Sequence, residues 1–172
     1  VLNGYGRLIS NKKVSVEDNS GKTTEYTANH ILLATGGRSK ELPSLPIDGK
    51  KVIGYRKAMT LEKQPKSMVI VGSGAIGTEF AYFYNAIGTE VTLVEFLPNI
   101  VPLEDEEVSK QLERIYKKAG IKVMTNSQVT SVDTKGKNCK VTIKTKKGEE
   151  KLETDVVLSA VGIATNLEDL GL

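Results

Sequence analysis

Apolar and polar positions follow two different patterns along this chain. Five short apolar runs are typical of strands that are buried on both faces of a parallel sheet. These runs are residues 30–34, 67–71, 90–95, 121–124 and 155–161. Residues 75–87 and 105–119 have helical patterns, and each of them is followed by a glycine. Because strands alternate with helices in this part of the chain, we expect an α/β fold with a parallel sheet.

The second pattern is a strict alternation that predicts antiparallel strands with one wet face. Residues 14–16 and 23–27 flank a turn of Asp, Asn, Ser and Gly, and residues 128–154 form a lysine-rich meander. Residues 38–66 contain three prolines and have weak periodicity, so they predict a crossover or linker with at most a short helix near 57–61.

The two patterns recur in the same order, which indicates an internal repeat. The segment VSVEDNSGKTTEYTANHILLATGG begins at Val14, and VTIKTKKGEEKLETDVVLSAVG begins at Val141. Each segment contains a glycine seven residues after its first valine, then a return strand, then an apolar run that ends in glycine. This repeat predicts two related nucleotide domains, of which only the tail of the first is present. Chance similarity between two strand-and-turn segments is the alternative.

Composition and charge exclude several classes of protein. The chain has 172 residues, a net charge of +3, one cysteine and one histidine. A balance this even does not favour a nucleic-acid partner, and no apolar run has the ~20 residues that span a bilayer. Cys139 alone excludes an intrachain disulfide and is compatible with a reducing cytoplasm, where we expect the protein to be. Because the first residue is Val1, we interpret the chain as a processed product or a piece.

A glycine cluster carries the strongest chemical signal. The segment Gly72-Ser73-Gly74-Ala75-Ile76-Gly77 fits G-x-G-x-x-G between a predicted strand and a predicted helix. The first glycine permits the tight turn, the second lets a pyrophosphate approach the backbone, and the third lets the helix pack closely on the strand. Free N–H groups and the helix dipole favour a phosphate at this position. We therefore predict that all six residues are part of a cofactor-binding site.

The next predicted strand ends in Glu95, 23 residues after Gly72. A carboxylate at this place accepts hydrogen bonds from a ribose and repels a 2′-phosphate. Since residues 96–99 contain no Arg or Lys, the sequence favours NAD over NADP. The alternative is a glycine-tightened turn beside a surface glutamate.

Other residues have a structural interpretation beside a functional one. Glu79, which we place in the first helical turn, either complements the helix N-terminus or faces the nucleotide. The aromatic residues at 80, 82, 83 and 84 are better explained by packing than by a cofactor box. The lysines of the meander are better explained as its wet face than as a nucleic-acid patch. Cys139 and His30 are not expected to be catalytic, and no catalytic or metal-binding residue is predicted.

Four segments together resemble the flavin-dependent pyridine nucleotide-disulfide oxidoreductases. They are ILLATGG, MVIVGSGAIGTEFA, EVTLVEFLPNIVPLEDEEVSKQLERIYKKAGIKV and DVVLSAVGIATNLEDLGL, and they cover essentially the whole chain. The stretches PLEDEEVSK and KKAGIKV are most similar to the members that oxidise protein-bound dihydrolipoamide. Glutathione-type and mercuric-type reductases of the same family are alternatives, as is a non-catalytic nucleotide-binding or assembly module.

The resemblance implies a domain organisation. Residues 1–38 would be a remnant of an FAD-binding domain, 39–66 a linker, and 67–172 a Rossmann-like NAD-binding domain. That domain would have a parallel sheet, helices on its faces and an antiparallel β-meander. Gly162, after the last predicted strand, would lie beside the nucleotide. Glu79 would face the nicotinamide, Glu95 the adenosine ribose, and the cluster glycines the pyrophosphate.

The resemblance also implies what a longer parent would contain. Family members carry an FAD fingerprint, a C-x-x-x-x-C redox pair and a dimerisation domain, none of which is in this sequence. The family's G-R-x-P-N is replaced here by Gly162-Ile-Ala-Thr-Asn166, without the Arg and the Pro. The implied parent is a homodimer that uses FAD and NAD(H) and serves the lipoyl domains of 2-oxo-acid dehydrogenase complexes. We expect this chain alone to bind NAD(H) weakly and to be inactive.

Overall fold

A computed structural model describes all residues, 1–172, and the chain forms two compact units. The smaller unit consists of residues 1–38 and 164–172, and the larger unit consists of residues 39–163. Whether these units act as a flavin-domain remnant and an NAD domain stays a prediction.

The secondary structure comprises thirteen strands and three helices. The strands are β1 Tyr5–Ser10, β2 Lys13–Glu17, β3 Thr23–Thr27, β4 Gly37–Ser39, β5 Val52–Ile53, β6 Ser67–Val71, β7 Glu90–Val94, β8 Lys122–Met124, β9 Gln128–Asp133, β10 Cys139–Thr145, β11 Gly148–Thr154, β12 Val156–Ser159 and β13 Ile163–Thr165. The helices are α1 Tyr55–Ala58, α2 Ala75–Ala86 and α3 Glu106–Lys118. None of these helices has the length and apolar character needed to cross a membrane.

A five-stranded parallel sheet is the centre of the larger unit. Its strand order is β5-β12-β6-β7-β8, so the chain leaves β6 in one direction and returns on its other side with β12. This reversal creates a crevice at the carboxyl ends of the strands, which is where open α/β sheets bind ligands. The α/β fold class predicted from the sequence is confirmed.

Each face of this sheet has its own core. One face packs against the helices through Ile70, Ala81, Leu93 and Tyr116. The other face packs against the antiparallel meander β11-β10-β9, where Val69 and Val141 are buried. The predicted alternation of β10 is confirmed, because Cys139, Val141 and Ile143 point inward and the residues between them are exposed or half-buried.

The lysines predicted to form the wet face of the meander are all exposed: residues 135, 137, 140, 144, 146, 147 and 151. Some of them lie close to glutamates on the same sheet, as Lys140 does to Glu153 at 4.0 Å. Because exposed ion pairs at such distances contribute little to stability, this surface is explained by solvation of one sheet face.

In the smaller unit, β1-β2-β3 form a second antiparallel meander. Its β2 and β3 match the segment that begins at Val14, as β10 and β11 match the segment that begins at Val141. The predicted repeat therefore has a counterpart in the two meanders. Strands β4 and β13 pair in a two-stranded sheet.

Residues 30–34, predicted as a buried strand, are irregular and mostly exposed, so that prediction is wrong. Leu32 is 91% exposed and Leu33 is 42% exposed. A buried parallel strand needs neighbours on both sides, and the smaller unit contains only the antiparallel meander and most of the short strands β4 and β13.

The interpretation of residues 38–66 as a linker missed an edge strand of the parallel sheet. β5 pairs with β12, and Val52, Ile53 and Leu45 are at most 1% exposed. The predicted short helix is α1, which begins two residues earlier than expected. The pattern also missed β1 and β13, since six and three mostly exposed residues have no apolar period.

Candidate functional site

A cavity of about 520 Å³ opens at the carboxyl ends of β6, β7 and β12. It lies entirely within the larger unit. Three chain segments that follow these strands form much of its wall: the glycine cluster after β6, Glu95 after β7 and Gly162 after β12. The complete lining is Leu42, Ser44, Leu45, Val71, Gly72, Ser73, Gly74, Val94, Glu95, Phe96, Leu97, Ser127, Gln128, Val129, Ala160, Val161 and Gly162.

Backbone contacts fix the turn at Gly72. This residue has a φ of +97°, which is strained for other residues, and its N–H donates to the carbonyl oxygen of Val94 at 2.9 Å. A Cβ at Gly72 would lie 2.5 Å from the carbonyl oxygen of Ala160. Glycine at this position therefore lets the loop after β6 pass in direct contact with the backbone at the ends of β7 and β12.

Gly74 borders open space at the start of α2. A Cβ built at this residue would meet no atom within 4 Å. Gly74 is also the N-cap residue of α2, and no side chain caps that helix end. The N-terminal N–H groups and the dipole of α2 thus favour an anion beside Gly74.

Glu95 is 7% exposed and is held by the glycine cluster. Its Oε2 accepts from the Ser73 backbone N–H at 2.8 Å and from the Ser73 hydroxyl at 2.6 Å. Its Oε1 accepts from the Leu97 N–H at 2.8 Å. The backbone of Glu95 is fixed as well, because its N–H donates to the carbonyl oxygen of Met124 at 2.8 Å. The carboxylate is therefore positioned by three donors at the edge of the cavity.

The segment that follows Glu95 continues the wall and is tied back to the glycine cluster. The Val101 N–H donates to the Ser73 carbonyl oxygen at 2.9 Å, and Val101 has a φ of +40°. Such a backbone is uncommon for a β-branched residue, and the neighbouring Ile100, which is fully buried, anchors the segment.

The cavity lining is apolar apart from a few polar groups. Glu95 is its only ionisable residue, and no Lys or Arg lines the cavity. Phe96 and Leu97 are 67% and 42% exposed, although they lie only two and three residues after the buried end of β7. An apolar wall with one fixed carboxylate and no cation suits an aromatic ring and a hydroxyl-bearing sugar better than a phosphate group at the Glu95 side of the cavity.

Five of the nine predicted site residues line this cavity: Gly72, Ser73, Gly74, Glu95 and Gly162. Ala75, Ile76, Gly77 and Glu79 do not. Gly77 is instead buried against Gly72, whose carbonyl oxygen would collide with any Cβ at Gly77. This packing is the role that the motif assigns to its third glycine.

Glu79 was placed in the first turn of α2, and that placement is wrong. The helix begins at Ala75 and has no acidic residue in its first turn, so Glu79 lies in the second turn, where it is exposed. It is therefore too far along the helix to complement its N-terminus strongly. Its predicted position beside the nicotinamide stays a prediction.

Several lining residues were not found from the sequence. Leu42, Ser44 and Leu45 lie in the segment interpreted as a linker, and Ser127 and Gln128 lie where the meander begins. Nothing in the sequence marked Leu42, Ser44 and Leu45, whereas Ser127 and Gln128 carried a positional signal, because they follow β8, which pairs with β7 in the parallel sheet. Ala160 and Val161 carried such a signal, because they precede Gly162 directly.

The residues predicted not to be catalytic are not among those that line the cavity. The thiol of Cys139 is fully buried between β10 and neighbouring backbone, and burial raises its pKa. His30 is exposed. In α2, Tyr84 is buried and contacts the rings of Phe80 and Phe83, whereas Tyr82 is exposed. Packing therefore accounts for Phe80, Phe83 and Tyr84.

Comparison with known proteins places this chain in a family. The sequence profile of the pyridine nucleotide-disulphide oxidoreductases matches residues 2–172. The chain belongs to this family. The resemblance found in the sequence is thereby confirmed, and its relatives include dihydrolipoyl dehydrogenases.

Two relatives and one solved structure illustrate the similarity. The chain is 38% identical to mitochondrial dihydrolipoyl dehydrogenase of Pisum sativum, over 99% of the chain and 36% of the relative. It is also 38% identical to leghemoglobin reductase of Glycine max, over 99% of the chain and 34% of the relative. The crystal structure of LpdA from Mycobacterium tuberculosis has a TM-score of 0.86 and 29% identity, and covers 99% of this chain and 38% of LpdA. The chain thus spans about a third of the length of the relatives it matches.

Proposed function

We propose that the larger unit binds NAD(H) in the cavity at the carboxyl ends of β6, β7 and β12. The pyrophosphate would lie beside Gly74 at the start of α2, and the adenosine ribose would bind Glu95. When bound, the nicotinamide supplies hydride transfer, and the residues of this chain supply position and electrostatics.

One juxtaposition carries this proposal. The open backbone at Gly74 and the fixed carboxylate of Glu95 border the same cavity, and each follows one of two adjacent parallel strands, β6 and β7. An anion-favouring helix end next to a sugar-binding acid is the arrangement that a dinucleotide requires. The lack of a basic lining residue supports NAD over NADP, since nothing would neutralise a 2′-phosphate.

We propose further that this unit belongs to a dihydrolipoyl dehydrogenase. In a full-length homodimer, FAD and a redox cysteine pair would pass electrons from dihydrolipoamide to NAD⁺, and lipoyl domains of 2-oxo-acid dehydrogenase complexes would be the partners. The dihydrolipoyl dehydrogenase relatives support this assignment. The single, buried and unpaired Cys139 suits a reducing cytoplasm, which we propose as the location.

Calorimetric titration of the chain with NADH, NADPH and FAD tests the binding proposal. We expect weak NADH binding, because family members complete the nicotinamide surroundings from a flavin domain. NADPH should bind more weakly than NADH, and FAD should not bind. Preference for NADPH would point to a glutathione-type or mercuric-type reductase, FAD binding would contradict the proposal, and binding of none of the three would leave a structural fragment.

A further inference from the structure

Ser73 occupies a motif position that the G-x-G-x-x-G pattern leaves unspecified. Yet its side chain is fully buried and reaches the carboxylate of Glu95, which directly follows β7. The contact joins residues that are 22 positions apart. We propose that the Ser73 hydroxyl is a positioning residue for NAD(H) selectivity, which it exerts through Glu95. This inference rests on the proposed function.

The geometry of the contact is that of a charge-assisted hydrogen bond. The Ser73 hydroxyl lies 2.6 Å from Glu95 Oε2, within the range for an O–H donor to a carboxylate. The same oxygen also accepts the Ser73 N–H, so one residue grips Oε2 twice. This double contact fixes both the place and the rotation of the carboxylate group.

The hydrogen bonds to Glu95 leave only part of its acceptor capacity for a ligand. A carboxylate offers about four lone-pair positions, two on each oxygen. Ser73 uses two on Oε2, and the Leu97 N–H uses one on Oε1. The remaining position belongs to Oε1, so the carboxylate is arranged to accept one further hydroxyl from one direction.

The backbone of Ser73 makes this arrangement rigid. Its carbonyl oxygen accepts from the Val101 N–H at 2.9 Å, while its own N–H is committed to Glu95. Ser73 therefore links the glycine cluster, the end of β7 and the segment after β7, and all three border the cavity. A carboxylate held in this way loses little conformational entropy when a ribose binds.

Selectivity follows from the same rigidity. A fixed carboxylate cannot turn away from a 2′-phosphate, and no lining Lys or Arg offsets the repulsion. Without the hydroxyl, Glu95 would keep its charge and two N–H donors but would gain freedom to rotate. Ribose binding should then weaken, while repulsion of a 2′-phosphate should relax.

The test measures NADH and NADPH affinities of the whole chain and its variants by calorimetry. We expect Ser73→Ala to weaken NADH binding by about fivefold without weakening NADPH binding. Ser73→Gly also removes the hydroxyl and should give the same change in the ratio of affinities. The matched control Ser67→Ala removes a hydroxyl from the amino end of β6, the strand that Ser73 follows, and should leave the ratio unchanged.

A double-mutant cycle shows whether Ser73 acts through Glu95. In a Glu95→Ala background, Ser73→Ala should change neither affinity further. An equal loss for both nucleotides, or the same loss in the Glu95→Ala background, would overturn the inference. Thermal unfolding midpoints show whether Ser73→Ala still folds. If it does not, the NADH and NADPH affinities of Ser73→Gly provide the test instead.

The unmodified chain separates the two levels of the proposal. If it binds NADH and Ser73→Ala changes nothing, only the role of Ser73 is wrong. If it binds no NADH, the proposed function fails and the selectivity role fails with it.

Discussion

At the scale of single residues, Gly77 and Gly74 belong to one motif but have opposite surroundings. A Cβ at Gly77 would collide with the Gly72 carbonyl oxygen, whereas a Cβ at Gly74 would meet nothing within 4 Å. We expect Gly77→Ala to lower the free energy of unfolding by about 1–3 kcal/mol, because α2 must move away from β6. Urea denaturation measures this loss.

Gly74→Ala is the matched variant, with the same added methyl group at an open position. Its φ of −67° is compatible with alanine, so the stability loss should not exceed about 1 kcal/mol, the usual effect of alanine at an N-cap. NADH affinity should fall nevertheless, because the methyl group would stand where we place the pyrophosphate. Equal stability losses in both variants would contradict this division of roles.

How far these residues could be predicted depends on the range of their contacts. The glycine spacing follows from local backbone needs, so Gly72, Gly74 and Glu95 could be assigned to one site from sequence. The bond between Ser73 and Glu95 could not, because it depends on the register of two adjacent parallel strands, in which Val71 pairs with Val94. No pattern within either segment encodes that contact.

At the scale of elements, residues 30–34 show where an apolar run misleads. The pattern is typical of a buried strand, but Leu32 is 91% exposed, and the segment lies between β3 and β4 without forming a strand itself. We therefore expect Leu32→Ser to change the free energy of unfolding by less than about 0.5 kcal/mol. Urea denaturation of the chain tests this, with the fully buried Leu93→Ser as the control that should lose several kcal/mol. A comparable loss at Leu32 would show that the segment is packed in solution.

Elements with a strong period and a clear stop were predicted within one or two residues. α3 begins at Glu106, one residue after the expected start, because the Asp105 side chain accepts from the Glu107 N–H at 2.8 Å and acts as N-cap. β5 was missed because two residues carry no period, and only pairing with β12 makes them a strand. Short edge elements depend on tertiary neighbours more than on local sequence.

At the scale of the whole molecule, the two cores of the parallel sheet are built from residues 39–163 alone. The cavity is lined by the same unit, which contains its own helices, sheet and meander. Position and electrostatics for a dinucleotide are therefore assembled within one compact unit. Oxidation of a dithiol needs redox-active groups in addition to these.

Oxidation of dihydrolipoamide removes two electrons and two protons from a pair of thiols, and in the proposed parent a protein disulfide with a flavin would accept them. This chain has one cysteine, whose thiol is fully buried and whose pKa is raised by that burial. A thiol of this kind is a poor nucleophile, because the reactive form is the thiolate. Cys139 therefore cannot replace a redox pair.

We accordingly expect no NADH to form when the chain is mixed with dihydrolipoamide and NAD⁺, at concentrations where calorimetry shows NAD(H) bound. The absorbance of NADH measures turnover, and Cys139→Ser, which removes the only thiol, should give the same baseline. Turnover that Cys139→Ser abolishes would show that this thiol is reactive after all. Turnover that persists in that variant would show a route from dithiol to nucleotide that needs no protein sulfur.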